Sequence, residues 1–192
     1  VWLPVSDPRG LPWPPAPIRT ERLLLRAAQS RDRAAVIELN ASPEVAAYLG
    51  GPTPREELER TVPAVPGQRA GFFAVERDGE LIGTVELNAH APAPPNGHRA
   101  EAAGTALGYL FLPHAWGRGY ATEACTAALG WFSRARPGEP VALYTRTANV
   151  RSMRLAAKLG FTERERFVGW DAEQWFGVWS PARTREATPR MG

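Results

Sequence analysis

GYLFLPHAWGRGYATEA, residues 108–124, runs from an apolar strand-like segment through a proline and two closely spaced glycines into a helical pattern. Gly117 and Gly119 flank Arg118 where the chain turns into the helix. The first N–H groups of a helix lack intrahelical acceptors, so several of them converge on whatever anion lies there. Glycine at this turn permits positive φ and lets an anion approach the main chain without meeting a Cβ. Such a cradle suits a pyrophosphate. Two familiar phosphate loops are excluded, because GxGxxG needs glycine where Thr122 stands and the Walker pattern needs a GK[ST] that is absent.

Working outward, GTALGYLFL (104–112) is apolar at odd and even positions alike, which predicts a central strand buried on both faces. Ala121, Ala124, Cys125, Ala128 and Phe132 recur at helical spacing through 117–133, so one face of that helix packs on the sheet. PVALYTRT (140–147) reads as the next strand, and the three together form one parallel βαβ crossover. VRSMRLAAKLG (150–160) is a short helix ended by Gly160, and FTERERFVGW with EQWFGVWS supply a closing strand pair. On the N-terminal side, TERLLLR (20–26) reads as a strand. A helix follows from Ser30, whose hydroxyl is its expected cap, with further helical pieces over 43–49 and 54–62. GFFAVERDGELIGTVELNA (71–89) is a hairpin turned at Asp78-Gly79, and the proline-rich 91–103 is a loop. Six prolines in the first twenty residues make 1–19 an extended arm carrying Trp2 and Trp13, a packing surface toward the domain or a second subunit. Residues 20–180 form the domain, and 181–192 read as a polar tail.

Composition excludes more than it assigns. The chain has 192 residues, 23 Lys and Arg against 20 Asp and Glu, and a net charge of +3. All but one of the cations are arginine, and this mild, unclustered excess does not describe a dedicated nucleic-acid binder. A lone Cys125 rules out an internal disulfide framework or a cysteine-cluster zinc site, and His90, His98 and His114 follow no HExxH pattern, so no metal is expected. No apolar run approaches the roughly 18 residues of a membrane helix, and no basic and apolar leader opens the sequence, which makes a cytoplasmic protein without membrane attachment the expectation.

HAWGRGYATEA (114–124) resembles the acetyl-CoA pyrophosphate loop of the GNAT N-acetyltransferase superfamily, Q/R-x-x-G-x-G/A, with the GYATEA tail typical of its RimJ/RimL branch. LGYLFLP (107–113) is similar to that branch's strand, and NVRSMRLAAKLGF (149–161) to its Asn-x-x-Ser helix. The resemblance implies an α/β GNAT fold, with a mixed, mostly antiparallel sheet, one parallel splayed strand pair and flanking helices. It implies that acetyl-CoA, as cosubstrate, lays its pyrophosphate on the N–H groups of Gly117, Arg118, Gly119, Tyr120, Ala121 and Thr122 and its pantetheine arm in the splay beside backbone groups of Phe111 and Leu112. Asn149 then holds the pantetheine or a water, and Ser152 stands where the branch places a hydroxyl near the leaving sulfur. The superfamily's more common acid, a tyrosine seven residues after that Asn, falls on Ala156. Cys125, on the apolar helix face, offers no nucleophile, and direct transfer follows.

The general base is less defined. A lysine-like amine of pKa ~10.4 costs on the order of 4 to 5 kcal/mol to deprotonate at neutral pH and an α-amine near ~7.8 about one, so a weak or water-relayed base suffices. Many relatives carry a glutamate where this chain has Ala106. Glu86, Glu101 and His98 remain, with Glu86 preferred because its strand borders the opening. Other residues have plainer readings. Glu123 suits the first turn of a helix on dipole grounds, His114 is either a phosphate contact or solvent-exposed, and Arg154 and Lys158, four apart on one helix face, read as solvated surface with the CoA 3′-phosphate as the alternative. Trp170 and Asp171 are acceptor-side candidates, and the tryptophans of the closing strands leave room for a homodimer. The expected activity is transfer of an acetyl group to a primary amine, either a protein N-terminus or a small molecule. The alternatives are a catalytically inactive acyl-CoA-binding sensor or scaffold and an arginine-rich RNA-associated module.

Overall fold

The computed structural model describes Leu11, residues 14–88 and residues 104–181. The strands are β1 Ile18–Arg19, β2 Leu24–Arg26, β3 Phe72–Arg77, β4 Glu80–Asn88, β5 Ala106–Phe111, β6 Val141–Arg146, β7 Thr162–Gly169 and β8 Ala172–Trp179. The helices are α1 Arg33–Ala41, α2 Pro43–Ala46, α3 Arg55–Thr61, α4 Tyr120–Ala135 and α5 Val150–Leu159. One eight-stranded sheet runs β1-β2-β3-β4-β5-β6-β8-β7. Every neighbouring pair is antiparallel except β5 and β6, which the α4 crossover makes parallel.

Alternation along the strands divides the core between the two faces. Val85, Leu87, Leu107 and Phe111 face α4 and α5, where Ala124, Cys125, Ala128, Phe132 and Leu155 close over them. Ala74, Leu81 and Leu110 face α1 and α3 through Val36, Leu39 and Leu58. Further along that second face, Phe167, Phe176 and Val178 pack with Ala142 and Tyr144.

The structure corrects several local expectations. Residues 20–26 are not one strand. The chain turns at Thr20, whose Oγ1 accepts the Leu23 N–H at 3.0 Å, so Ile18–Arg19 of the expected arm pairs back on β2 as the sheet's first strand. Leu11, also in that arm, lies in the main core, whereas Trp2 and Trp13 fall outside the described residues, as does the tail from residue 182. The first helix is not capped by the Ser30 hydroxyl. The Asp32 carboxylate accepts the Gln29 N–H at 2.7 Å and opens a 3-10 turn that leads into α1. The Asp78-Gly79 turn has positive φ at both residues, as an Asp-Gly hairpin should. Trp170 and Asp171 make the same reversal between β7 and β8 without a glycine, at φ 50° and 59°. At the sheet edge, β7 alternates Glu163, Arg164, Glu165 and Arg166.

One ionic cluster is built into the second face. Arg26 and Asp32 are 5% and 3% exposed and meet in a two-pronged pair, Nη1 to Oδ2 at 2.7 Å and Nη2 to Oδ1 at 2.9 Å. Glu76 closes the cluster through Arg26 Nε at 2.7 Å and Arg31 Nη2 at 2.9 Å. Burial alone would push the Asp32 carboxyl up. Hydrogen bonds from Arg26 and the Gln29 N–H overcome that and hold it below the usual carboxylate range.

Candidate functional site

The crossover from β5 to α4 places the glycines. Gly117 and Gly119 lie at φ 74° and 80°, and an added Cβ at Gly117 meets nothing within 4 Å, so the turn leaves open space over its backbone. The first amide bonded within the helix is that of Glu123, to Gly119 O at 3.1 Å. The N–H groups of Tyr120, Ala121 and Thr122 therefore point outward without a backbone acceptor among the described residues. Gly117, Arg118 and Gly119 are exposed beside them. The sequence-predicted loop is thus a cluster of free donors at the positive end of a helix of 16 residues.

What braces this turn was only partly visible in the sequence. Glu123, expected to serve the helix dipole, also ties this turn to a distant segment. It accepts Thr20 Oγ1 at 2.6 Å, the Arg22 N–H at 2.9 Å and Arg22 Nε at 2.7 Å. Burial opposes the charge on Glu123, and these donors outweigh it, holding its carboxyl low. Arg22 also donates Nη1 to Arg118 O at 3.0 Å and lies over the Tyr120 ring, which Arg77 covers as well. The Tyr120 side chain is buried and bonded to Arg77, so only its N–H belongs to the loop.

The second part of the site is the gap between the parallel strands. β5 and β6 share a single register pair, Ala106 with Ala142, fastened by Ala142 N–H to Thr105 O at 2.8 Å. Beyond it they diverge. The Leu112 N–H donates to Ile82 O on β4 at 3.0 Å, so even-numbered backbone groups of β5 serve β4 and odd-numbered ones face β6. Tyr109 and Phe111 therefore turn their N–H groups into the gap. The Phe111 carbonyl accepts Trp116 Nε1 at 2.7 Å, and Arg151 at the start of α5 lies 4.6 Å over the Trp116 ring. Leu112, expected beside the pantetheine, is turned the other way, with its carbonyl taken by Ala115 N–H at 2.9 Å. The predicted burial of β5 on both faces also fails. Gly108 is exposed in mid-sheet, with nothing within 4 Å of an added Cβ.

Ser152 and Glu86 lie on opposite faces of the sheet, and Glu86, expected on a strand bordering the gap, stands on β4 with β5 between it and β6. Ser152 is buried on the α4 and α5 face, its N–H accepted by Asn149 Oδ1 at 3.2 Å and its Oγ bonded to the Tyr109 hydroxyl. Asn149 is thereby the cap of α5. Glu86 pairs with Gly108 across β4 and β5 and so projects from the other face. Both of its oxygens are held by Arg69, at 2.6 Å each, an ion pair that sequence separation concealed. Tyr144 lies on the same face, stacked on Phe176 at 4.8 Å, its phenol pushed up by burial. Trp170 is exposed at the hairpin tip and meets Phe167. His114, Arg154 and Lys158 are exposed, and His98 and Glu101 lie outside the described residues. Cys125 is fully buried, and burial pushes its thiol up, so it presents no thiolate.

A sheet opened between two parallel strands, beside the bare N-terminus of the helix that joins them, is the architecture that comparison finds elsewhere. Residues 22–162 match the sequence family described as the acetyltransferase (GNAT) domain. The chain belongs to the GNAT acetyltransferases. Among curated relatives, the uncharacterized N-acetyltransferase YoaA of Bacillus subtilis is 29% identical over 153 residues, covering 75% of this chain and 81% of YoaA. Two solved structures carry the same fold. AAC(6')-Ib in complex with ribostamycin and coenzyme A has a TM-score of 0.64 and 16% identity, over 88% of this chain and 100% of that one. RimL, the ribosomal L7/L12 alpha-N-protein acetyltransferase, in complex with coenzyme A, has a TM-score of 0.63 and 17% identity, over 86% and 98%. Their near-equal scores mean that the fold alone does not select between ribostamycin and the ribosomal L7/L12 α-amine.

Gly108 offers a direct probe of the open face. On the acetyl-transfer reading proposed below, Gly108→Leu, at an ordinary φ with space above it, is expected to fold and to raise the KM of the amine about tenfold while leaving CoA-induced thermal stabilisation unchanged. Steady-state kinetics with the amine varied, beside melting curves with CoA, check this.

Proposed function

We propose that this GNAT chain transfers an acetyl group from acetyl-CoA to a primary amine by direct attack of the amine on the thioester. The observation that carries the reading is the continuity of the free amides of Tyr120, Ala121 and Thr122 with the β5–β6 gap. The amides suit the pyrophosphate, and an extended pantetheine suits the Tyr109 and Phe111 N–H groups. The residues fit the cosubstrate because the glycine turn is open where a Cβ would otherwise crowd a phosphate.

The thioester approaches from the α4 and α5 face and the amine from the face of Glu86 and Gly108. Glu86, with both oxygens already bonded to Arg69, orients the amine as an acceptor and a fixed negative charge. Its proton passes to water or through Glu86. The N–C bond forms, the C–S bond breaks, and the electron pair remains on sulfur near Ser152. With Cys125 buried, no acyl-enzyme intermediate is needed. A RimJ/RimL-like preference for an α-amine accords with the loop and helix motifs, and a small amine is the other acceptor class that the open floor at Gly108 admits.

The test is release of CoA thiol from acetyl-CoA across peptides, amino acids, polyamines and aminoglycosides. Turnover with at least one class is expected. CoA binding without turnover on any amine would identify an acyl-CoA sensor instead. Ser152→Ala is expected to lower kcat by about 10- to 100-fold, the range for one hydrogen bond to a developing charge, with acetyl-CoA affinity nearly unchanged.

A further inference from the structure

Ser152 is held at two points. Asn149 Oδ1 accepts its N–H at 3.2 Å, which fixes the first turn of α5, and the Tyr109 hydroxyl meets its Oγ. Tyr109 reaches it from β5, on the other side of the gap and 43 positions away in sequence. A phenol is the stronger acid of the two hydroxyls and an aliphatic oxygen the better acceptor, so the bond runs from Tyr109 to Ser152. Burial pushes the Tyr109 phenol up, which keeps it protonated as that donor. Among the described residues Ser152 Oγ has no second hydrogen-bond partner, so its own hydrogen is left for a group in the gap.

We infer that Tyr109 is a positioning residue: its hydroxyl sets the rotamer of Ser152 and aims the Ser152 O–H at the sulfur that leaves. This rests on the acetyl-transfer reading above. The thiolate departs with its electron pair, stabilised by a hydrogen bond from Ser152. Neither hydroxyl loses its proton, and the ammonium proton leaves on the acceptor side. The unit of two hydroxyls thus replaces the tyrosine that the superfamily pattern would place at Ala156.

Tyr109→Phe keeps the ring in the core and removes only the donor. The full chain carrying this change is expected to show a kcat about tenfold lower, the rate equivalent of one hydrogen bond, with the KM for acetyl-CoA and the CoA-induced melting shift as in the unmodified chain. Tyr109→Phe combined with Ser152→Ala is expected to be no slower than Ser152→Ala alone, because the two hydroxyls act as one unit. An undiminished kcat in Tyr109→Phe, multiplicative losses in the double variant, or a loss of CoA binding in parallel with kcat would each overturn the assignment. If the unmodified chain releases no thiol with any amine, the transfer reading itself fails and this inference with it. Turnover by the unmodified chain that Tyr109→Phe matches rejects the positioning role alone.

Discussion

Thr122→Glu is expected to weaken CoA binding by about a thousandfold while the free protein keeps its melting temperature. Thr122 stands in the first turn of α4, where its N–H is one of the three bare amides. A carboxylate at such a position is itself favoured by the helix macrodipole, by about 0.3–1 kcal/mol, so the helix gains a stabilising charge. The same carboxylate would stand in the place proposed for the pyrophosphate. Two negative charges about 4 Å apart at an effective dielectric near 20 repel by about 4 kcal/mol, hence the thousandfold figure. Thr122→Glu is a cleaner probe than a change at Gly119, whose φ of 80° strains any side chain by about 1–2 kcal/mol and whose Cβ would lie 3.4 Å from Arg22 Nη2. Calorimetric titration with CoA checks the outcome. An unchanged affinity would remove the loop from the site.

Arg26→Met is expected to destabilise the fold by about 3–5 kcal/mol at neutral pH, the cost of leaving a buried carboxylate without its partner. For a chain of this size that lowers the melting temperature by roughly 6–20 °C. The pH dependence distinguishes this cause from loss of packing. In the unmodified protein the Asp32 carboxyl is held below its unfolded value, so its contribution is full above about pH 4 and is lost as pH falls through the folded pKa. In Arg26→Met the same carboxyl, buried without the guanidinium, moves above its unfolded value and takes up a proton on acidification. The difference in melting temperature between the two proteins should therefore narrow from pH 7 to pH 4. A difference independent of pH would assign the loss to packing alone.

The parts of this molecule legible in sequence were those whose chemistry is local. Gly117 and Gly119 announce a left-handed turn, the apolar spacing of α4 announces the helix after it, and Asp78-Gly79 announces a hairpin, each within a few residues. The features that give the site its shape depend on pairs far apart in the chain. Nothing near Gly108 marks it as exposed, because an apolar run reads the same whether the neighbouring strand stays paired or departs after one residue. Glu86 was legible as a strand carboxylate, but the sheet order that sets β5 between its strand and the gap was not, nor was Arg69 as its partner, and Tyr109 gave no sign of Ser152. Leu112 was misplaced beside the gap because strand parity depends on the register with β4, which composition does not carry. Trp170-Asp171 reverses the chain without glycine, so the hairpin was inferred only from the strands on either side.

The tie between Glu123 and the Thr20–Arg22 turn has a consequence for the order in which the molecule assembles. The acceptor and its donors are 101 to 103 positions apart, and the donors are made first. During synthesis the Thr20–Arg22 turn must wait, unmatched, until the segment carrying Glu123, 101 to 103 positions later, has emerged. Closing so long a loop is entropically slow. The glycine turn thus acquires its final brace late, and that brace reports that two segments a hundred positions apart have met.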